Sequence, residues 1–199
     1  MTADLPPAAY AAALAAFPHM SIHRLGALLR NHPPAEAYSI AVGDRRPSGL
    51  IQRVLDDADV SAAWRRAGRS ALLENTWARC TQLEVQVLVH GSVGYPALLL
   101  DDPLPPPVVF AQGDLGLLDG RRVAIVGTRN ATAAGRDTAT TLGHQLALAN
   151  VHVVSGLARG IDACAHRGAL QSDAGGRPIA VVASGHDVVY PRHHVRTPM

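Results

Sequence analysis

The sequence predicts an α/β protein in which a small helical domain precedes a doubly wound parallel sheet. Three observations carry that prediction. The first 82 residues hold short apolar stretches at helical spacing, punctuated by prolines. From residue 121, short β-branched runs alternate with helical stretches and glycine-bearing loops. Charge divides at the same place: residues 1–120 hold nine Arg against twelve acids, a balance of −3, and residues 121–199 hold nine Arg against four acids, a balance of +5.

Taken in order, Pro6-Pro7 opens a helix through an Ala-rich stretch to Phe17, and Pro18 ends it. Ser21 caps a second helix with Ile22, Leu25, Leu28 and Leu29 on one face. Pro33-Pro34 opens a third towards Val42, and helical segments follow over Ile51–Leu55, Ser61–Ala67 and Ala71–Leu83. Val85–Val89 then alternates as a strand does, and Val108–Ala111 is a second short apolar run. The boundary is expected near residue 83, giving domains over 1–83 and 84–199, with the elements from 84 to 120 leaning on the second.

In the second domain Val123–Val126 reads as a buried parallel strand and residues 134–149 as a helix that Asn150 ends in the left-handed region. Val151–Val154 is the next strand, Ile161–Leu170 the next helix and Ile179–Ala183 the third strand. Strand–helix–strand–helix–strand implies right-handed crossovers, with ligands beyond the carboxyl ends of the strands.

Composition removes several chemistries. All 18 basic residues are Arg, so no P-loop lysine, Schiff base or lysine general base is available. With 34 Ala, the absence of Lys fits the codon bias of a GC-rich genome. Mean hydropathy is only +0.09, and no apolar stretch is long enough for a membrane span. Cys80 and Cys164 lie in unrelated contexts and read as buried thiols of a reducing compartment, so a cytoplasmic protein is expected.

Three loops converge on one crevice, and each offers what an anion needs. Gly127-Thr128-Arg129 lies between a strand and a helix N-terminus: glycine admits a phosphate, Thr128 offers a hydroxyl, and Arg129 a planar fork of donors. Ser155-Gly156-Leu157-Ala158-Arg159-Gly160 repeats the device: Ser155 and the two glycines offer backbone donors and Arg159 charge, with Asp162 in the first turn of the next helix placed to hold loop amides. His166 lies one turn on, and the two read as a helix-surface pair rather than as parts of a triad with Ser155. In the third loop Tyr190 is suited to stack on a base and Arg192 to meet a phosphate. His193 and His194 lack the acid or Cys partners of a metal set, so no metal and no cofactor is expected.

These residues in this order carry a resemblance. Val123-Ala124-Ile125-Val126-Gly127-Thr128-Arg129, then Ser155-Gly156 with Gly160-Ile161-Asp162, Ala165-His166 and Leu170, then Gly185 with Tyr190-Pro191, resemble the DNA-processing protein A (DprA/Smf) family. Gly94-Tyr95-Pro96 and Phe110 with Gly113-Asp114 resemble its lead-in. The resemblance implies a sterile-alpha-motif-like or degenerate helix-hairpin-helix domain followed by a Rossmann-like domain. It further implies a non-catalytic protein that binds single-stranded DNA and helps load the RecA recombinase onto transforming DNA. Arg129, Ser155, Gly156, Gly160 and Asp162 would line the DNA pocket, and Arg192 would join them; Gly127, Thr128 and Arg159 complete the candidate set. Phe17-Pro18-His19-Met20-Ser21 lacks the glycines of a DNA-contacting hairpin, so no contact is expected there. The sequence reaches only three of the family's parallel strands, so a truncated Rossmann-like domain is expected. The family's homodimer and RecA surfaces would then lie largely outside it. The competing reading is a SLOG-type small-nucleotide enzyme or sensor of the phosphoribohydrolase kind, whose Pro-Gly-Gly-x-Gly-Thr loop and nearby Glu this chain lacks.

Overall fold

Pro7 can begin a helix because the N–H it lacks would have had no intrahelical partner. In the computed structural model, which describes residues 5–188, α1 spans Pro7–Ala15 and starts at that residue. Ser21 caps α2 (Ile22–Leu29) by accepting from the Arg24 N–H at 3.2 Å. Then follow α3 (Pro34–Val42), α4 (Leu50–Leu55), α5 (Ala58–Gly68) and α6 (Leu72–Gln82). The start of α5 precedes the expected Ser61, because Asp57 Oδ1 accepts from the Asp59 and Val60 N–H groups and fixes the helix earlier.

The core of this unit is aromatic and Ala-rich. Phe17, Tyr38 and Trp64 are buried with Leu14, Leu28 and Ile40. The Phe17 ring meets Tyr38 and Trp64 edge to face at centroid separations of 5.6 and 6.1 Å. Trp64 Nε1 donates to the Pro18 carbonyl at 2.8 Å, so the one polar atom of this side chain is satisfied.

β1 (Gln86–Val89) and β2 (Val108–Ala111) form an antiparallel hairpin, with the short α7 (Ala97–Leu100) between them. This hairpin corrects the expected organisation. Cys80 and Val85 are buried against Ala12 of α1, with Val87 and Phe110 packed on them. The hairpin therefore belongs with the helices, and the two compact units part between Gly113 and Asp114 rather than near residue 83.

The second unit opens with a 3-10 turn, Leu115–Leu118, capped by Asp114. β3 (Arg122–Ala124), β4 (His152–Ser155) and β5 (Pro178–Ala180) make a parallel sheet in the order β3-β4-β5, connected by α8 (Ala133–Leu148) and α9 (Ile161–Leu170). Register puts Val123 opposite Val153 and Val154 opposite Ile179. The three strands and two helices appear where the sequence places them, with strand ends shifted by one to three residues. Asn150 adopts φ 56 just past α8, in the left-handed region. Ile125, Ala147, Val153, Ala165 and Ala169 form the core. Among the described residues no helix is long and apolar enough to cross a membrane.

Candidate functional site

The carboxyl ends of β3 and β4 continue into the two loops that carry most of the candidate residues, and one side chain ties those loops together. Asp162, in the first turn of α9, is only 6% exposed. Its Oδ1 accepts from the Gly127 N–H at 3.2 Å and its Oδ2 from the Gly156 N–H at 3.2 Å. A single carboxylate thus bridges the loop after β3 and the loop after β4, and each oxygen receives a charge-assisted hydrogen bond. The Gly127 and Gly156 amides are spent inside the protein and do not face the crevice as donors.

Gly160 brings the loops closer still. It adopts φ +91, and a Cβ built there would collide with the Thr128 and Arg129 carbonyls. The Ile161 N–H donates to the Thr128 carbonyl at 3.3 Å. Ser155 is turned inward: its hydroxyl, on a residue 3% exposed, donates to the Ile125 carbonyl at 2.7 Å and locks the end of β4 to β3. Ser155, Gly156, Gly160 and Asp162 therefore shape the crevice, while other groups line it.

Those other groups are cationic side chains and unspent amides. Arg129 and Arg159 are exposed, and neither has an ion-pair partner among the described residues. From Leu157 to Gly160 no backbone N–H has an acceptor among the described residues, nor have those of Thr128 and Arg129. Leu157 lies at φ 57, a left-handed conformation of the kind from which backbone anion nests are built. Thr128 Oγ1 accepts from the Asn130 N–H at 3.2 Å, and Thr132 caps α8 through the Gly135 N–H at 3.1 Å. Val126 and Val181, 75% and 65% exposed, give the same sheet end an apolar surface. Chemically, such a surface can hold an anion through guanidinium forks and main-chain donors and can rest an apolar group beside it.

In the third loop Gly185 and Asp187 are described, but Tyr190, Pro191, Arg192, His193 and His194 lie outside the described residues. Among the described residues no group of three His, Cys, Asp or Glu side chains is placed to hold a metal.

The expected surface pair of Asp162 and His166 is corrected by the structure. Both are buried, His166 to 5% exposure, because this face of α9 packs on the sheet rather than on solvent. Burial pushes the His166 imidazole below its usual pKa, outweighing the Asp162 carboxylate and the Ile179 and Val153 backbone, which act the other way. His166 Nε2 has no hydrogen-bond partner among the described residues. Of the backbone donors expected from the two glycines of this loop, the Gly156 amide is taken by Asp162 and the Gly160 amide has no acceptor among the described residues; sequence reasoning missed the amides of Leu157, Ala158 and Arg159, and the Thr132 cap.

Comparison with known proteins places this geometry in context. The family model described as DNA recombination-mediator protein A matches residues 86–198, more than half of the chain. The DNA processing protein DprA of Bacillus subtilis is 42% identical over 113 residues, covering 56% of this chain and 37% of that protein. The DprA of Streptococcus pneumoniae is 32% identical over 156 residues, covering 77% of this chain and 48% of its own. The chain thus spans less than half the length of these two relatives. The X-ray structure of the Streptococcus pneumoniae DprA superposes with a TM-score of 0.62 at 25% identity, covering 98% of this chain and 63% of that one.

Proposed function

This chain belongs to the DNA recombination-mediator protein A family, and we propose that the carboxyl end of its parallel sheet holds the sugar–phosphate backbone of single-stranded DNA. The observation that carries the reading is the pair of loops braced by Asp162. Bracing removes two amides from use yet leaves the exposed Arg129 and Arg159, and the 157–160 amides that have no acceptor among the described residues, on the same sheet end. Guanidinium forks fit phosphate oxygens, and exposed apolar Val126 and Val181 suit a sugar or an unstacked base better than a regular duplex. Arg192 joins this set in the proposal. The protein acts by binding, without a chemical step, in the cytoplasm, and presents the strand for RecA; any homodimer serves the same end.

Binding of this kind is largely indifferent to sequence and weakens with salt, log K falling by roughly 0.7 for each phosphate contact on a single strand. Fluorescence anisotropy with labelled oligo-dT across a salt series tests it. Arg129→Ala is expected to weaken binding and to lower the slope by about 0.7. A slope near zero, or an Arg129→Ala curve that overlays the parent, would remove the crevice from consideration. Saturable binding of nucleoside monophosphates at this crevice without oligonucleotide binding would favour the small-nucleotide reading instead.

A further inference from the structure

We propose that a cavity at the carboxyl end of α3 is a separate binding site for a phosphate group, free or carried on a small organic body. The cavity has a volume of about 340 Å³ and lies wholly within the helical unit, where the family match does not reach. Three arginines line it: Arg45 and Arg46 from the loop after α3, and Arg65 from α5. Acids outnumber Arg in residues 1–120, twelve to nine, so gathering three guanidinium groups at one cavity is a local feature against the prevailing charge.

The three are not equivalent. Arg45 Nη1 is spent on Glu36 Oε1 at 2.7 Å. Arg46 and Arg65 have no carboxylate partner among the described residues. Asp44 also lines the cavity, and setting its one negative charge against these two leaves the lining positive. The Arg65 stem passes over the backbone: at Gly43 (φ +92) a Cβ would lie 3.0 Å from Arg65 Nε, so the absence of a side chain there leaves room for the guanidine stem.

Ser61 supplies the second, independent observation. It is 8% exposed and lines the cavity from α5. Its N–H donates to the Asp57 carbonyl, but its hydroxyl has no hydrogen-bond partner among the described residues. A hydroxyl in the lining of a cavity that two guanidinium groups without carboxylate partners also line completes a donor set suited to phosphate oxygens. Ile40 and Leu55 give the remaining wall an apolar character, which a small body attached to the phosphate would cover.

The test uses the full chain, ¹⁵N-labelled, titrated at constant ionic strength with inorganic phosphate, with thymidine monophosphate and with oligo-dT. Saturating shifts of the Gly43, Ser61 and Arg65 amides are expected with the first two probes. Shifts at these amides with oligo-dT as well would identify backbone phosphodiesters as a source of the same group. Arg46→Gln and Arg65→Gln, both at exposed positions, should each weaken phosphate about tenfold while oligo-dT binding at the sheet is kept. Arg129→Ala should do the reverse, so failure here and failure of the DNA reading are distinguishable. Ser61→Ala provides a third variant that leaves the charge unchanged. Shifts that do not saturate, or that are unaltered in both arginine variants, overturn the proposal.

Discussion

One carboxylate decides whether two loops keep their shape. Asp162 accepts from Gly127 and Gly156, residues that are far apart in sequence, and it does so from a buried position. Asp162→Asn keeps one acceptor and turns the other oxygen into a donor facing an N–H. It is expected to cost about 1–3 kcal/mol, the cost of leaving a buried donor unsatisfied. The loss should appear in thermal melts together with faster hydrogen exchange at the Gly127 and Gly156 amides. Exchange unchanged at both amides would show that the loops are held by something else. His166, one turn along, gives a pH signature. Its pKa is lowered from 6.5 chiefly by burial, so the unfolded chain takes up the proton first as pH falls. Its contribution to stability is therefore full above about 6.5 and is lost as pH falls through the lower, folded-state value. Chemical denaturation between pH 5 and 7.5 should show this acid-side loss, and His166→Leu should flatten it.

At the scale of elements, α8 and α9 set the platform on which the loops sit, and they meet backbone to backbone. A Cβ at Gly143 would strike the Ala165 carbonyl, and one at Gly168 would strike the Thr140 carbonyl. Helices this close cannot yield by rotating a side chain. Gly168→Ala is accordingly expected to cost about 3 kcal/mol, at the severe end of overpacking, and a calorimetric melt measures it. The sequence made α8 readable as a helix and its contact face readable in part. Ala139, Leu142, Gly143, Leu146 and Ala149 fall at helical spacing; of these Ala139 and Gly143 are buried and Leu146 packs on the core, whereas Leu142 is 46% exposed and Ala147 is the third buried position. Hydrophobic periodicity marks large apolar residues, whereas a close crossing selects small ones. The hairpin was misplaced for a related reason. β1 and β2 looked like a prelude to the sheet, but their side chains pack with Cys80 and Ala12, a long-range contact that local pattern does not record. Caps were legible where a Ser stood alone before an apolar run, as at Ser21, and missed at Asp57, where adjacent acids hid which one accepts.

For the whole molecule, composition says more about the site than any one motif. The loop residues Arg129 and Arg159 could be named from the sequence because charge and glycine spacing marked them. Backbone donors could be expected at the two glycines of that loop, but which amides stay unspent follows from backbone angles, and it is Gly160 and its three predecessors rather than Gly156. What both share is that no lysine takes part: every basic side chain in the chain is Arg. On the proposed reading, phosphate would then be held by planar forks rather than by ammonium groups, which fixes orientation as well as charge. Two chemical modifications separate this from simple electrostatic attraction. Acylating reagents aimed at amines find no lysine side chain, so oligo-dT affinity should persist after treatment. Phenylglyoxal, which attacks guanidinium groups, should abolish it. Bound oligo-dT should slow modification of Arg129 and Arg159, read by peptide mass spectrometry, while Arg46 and Arg65 in the helical unit react at the unprotected rate. Equal modification of all four with and without DNA would mean that the sheet end does not contact the strand.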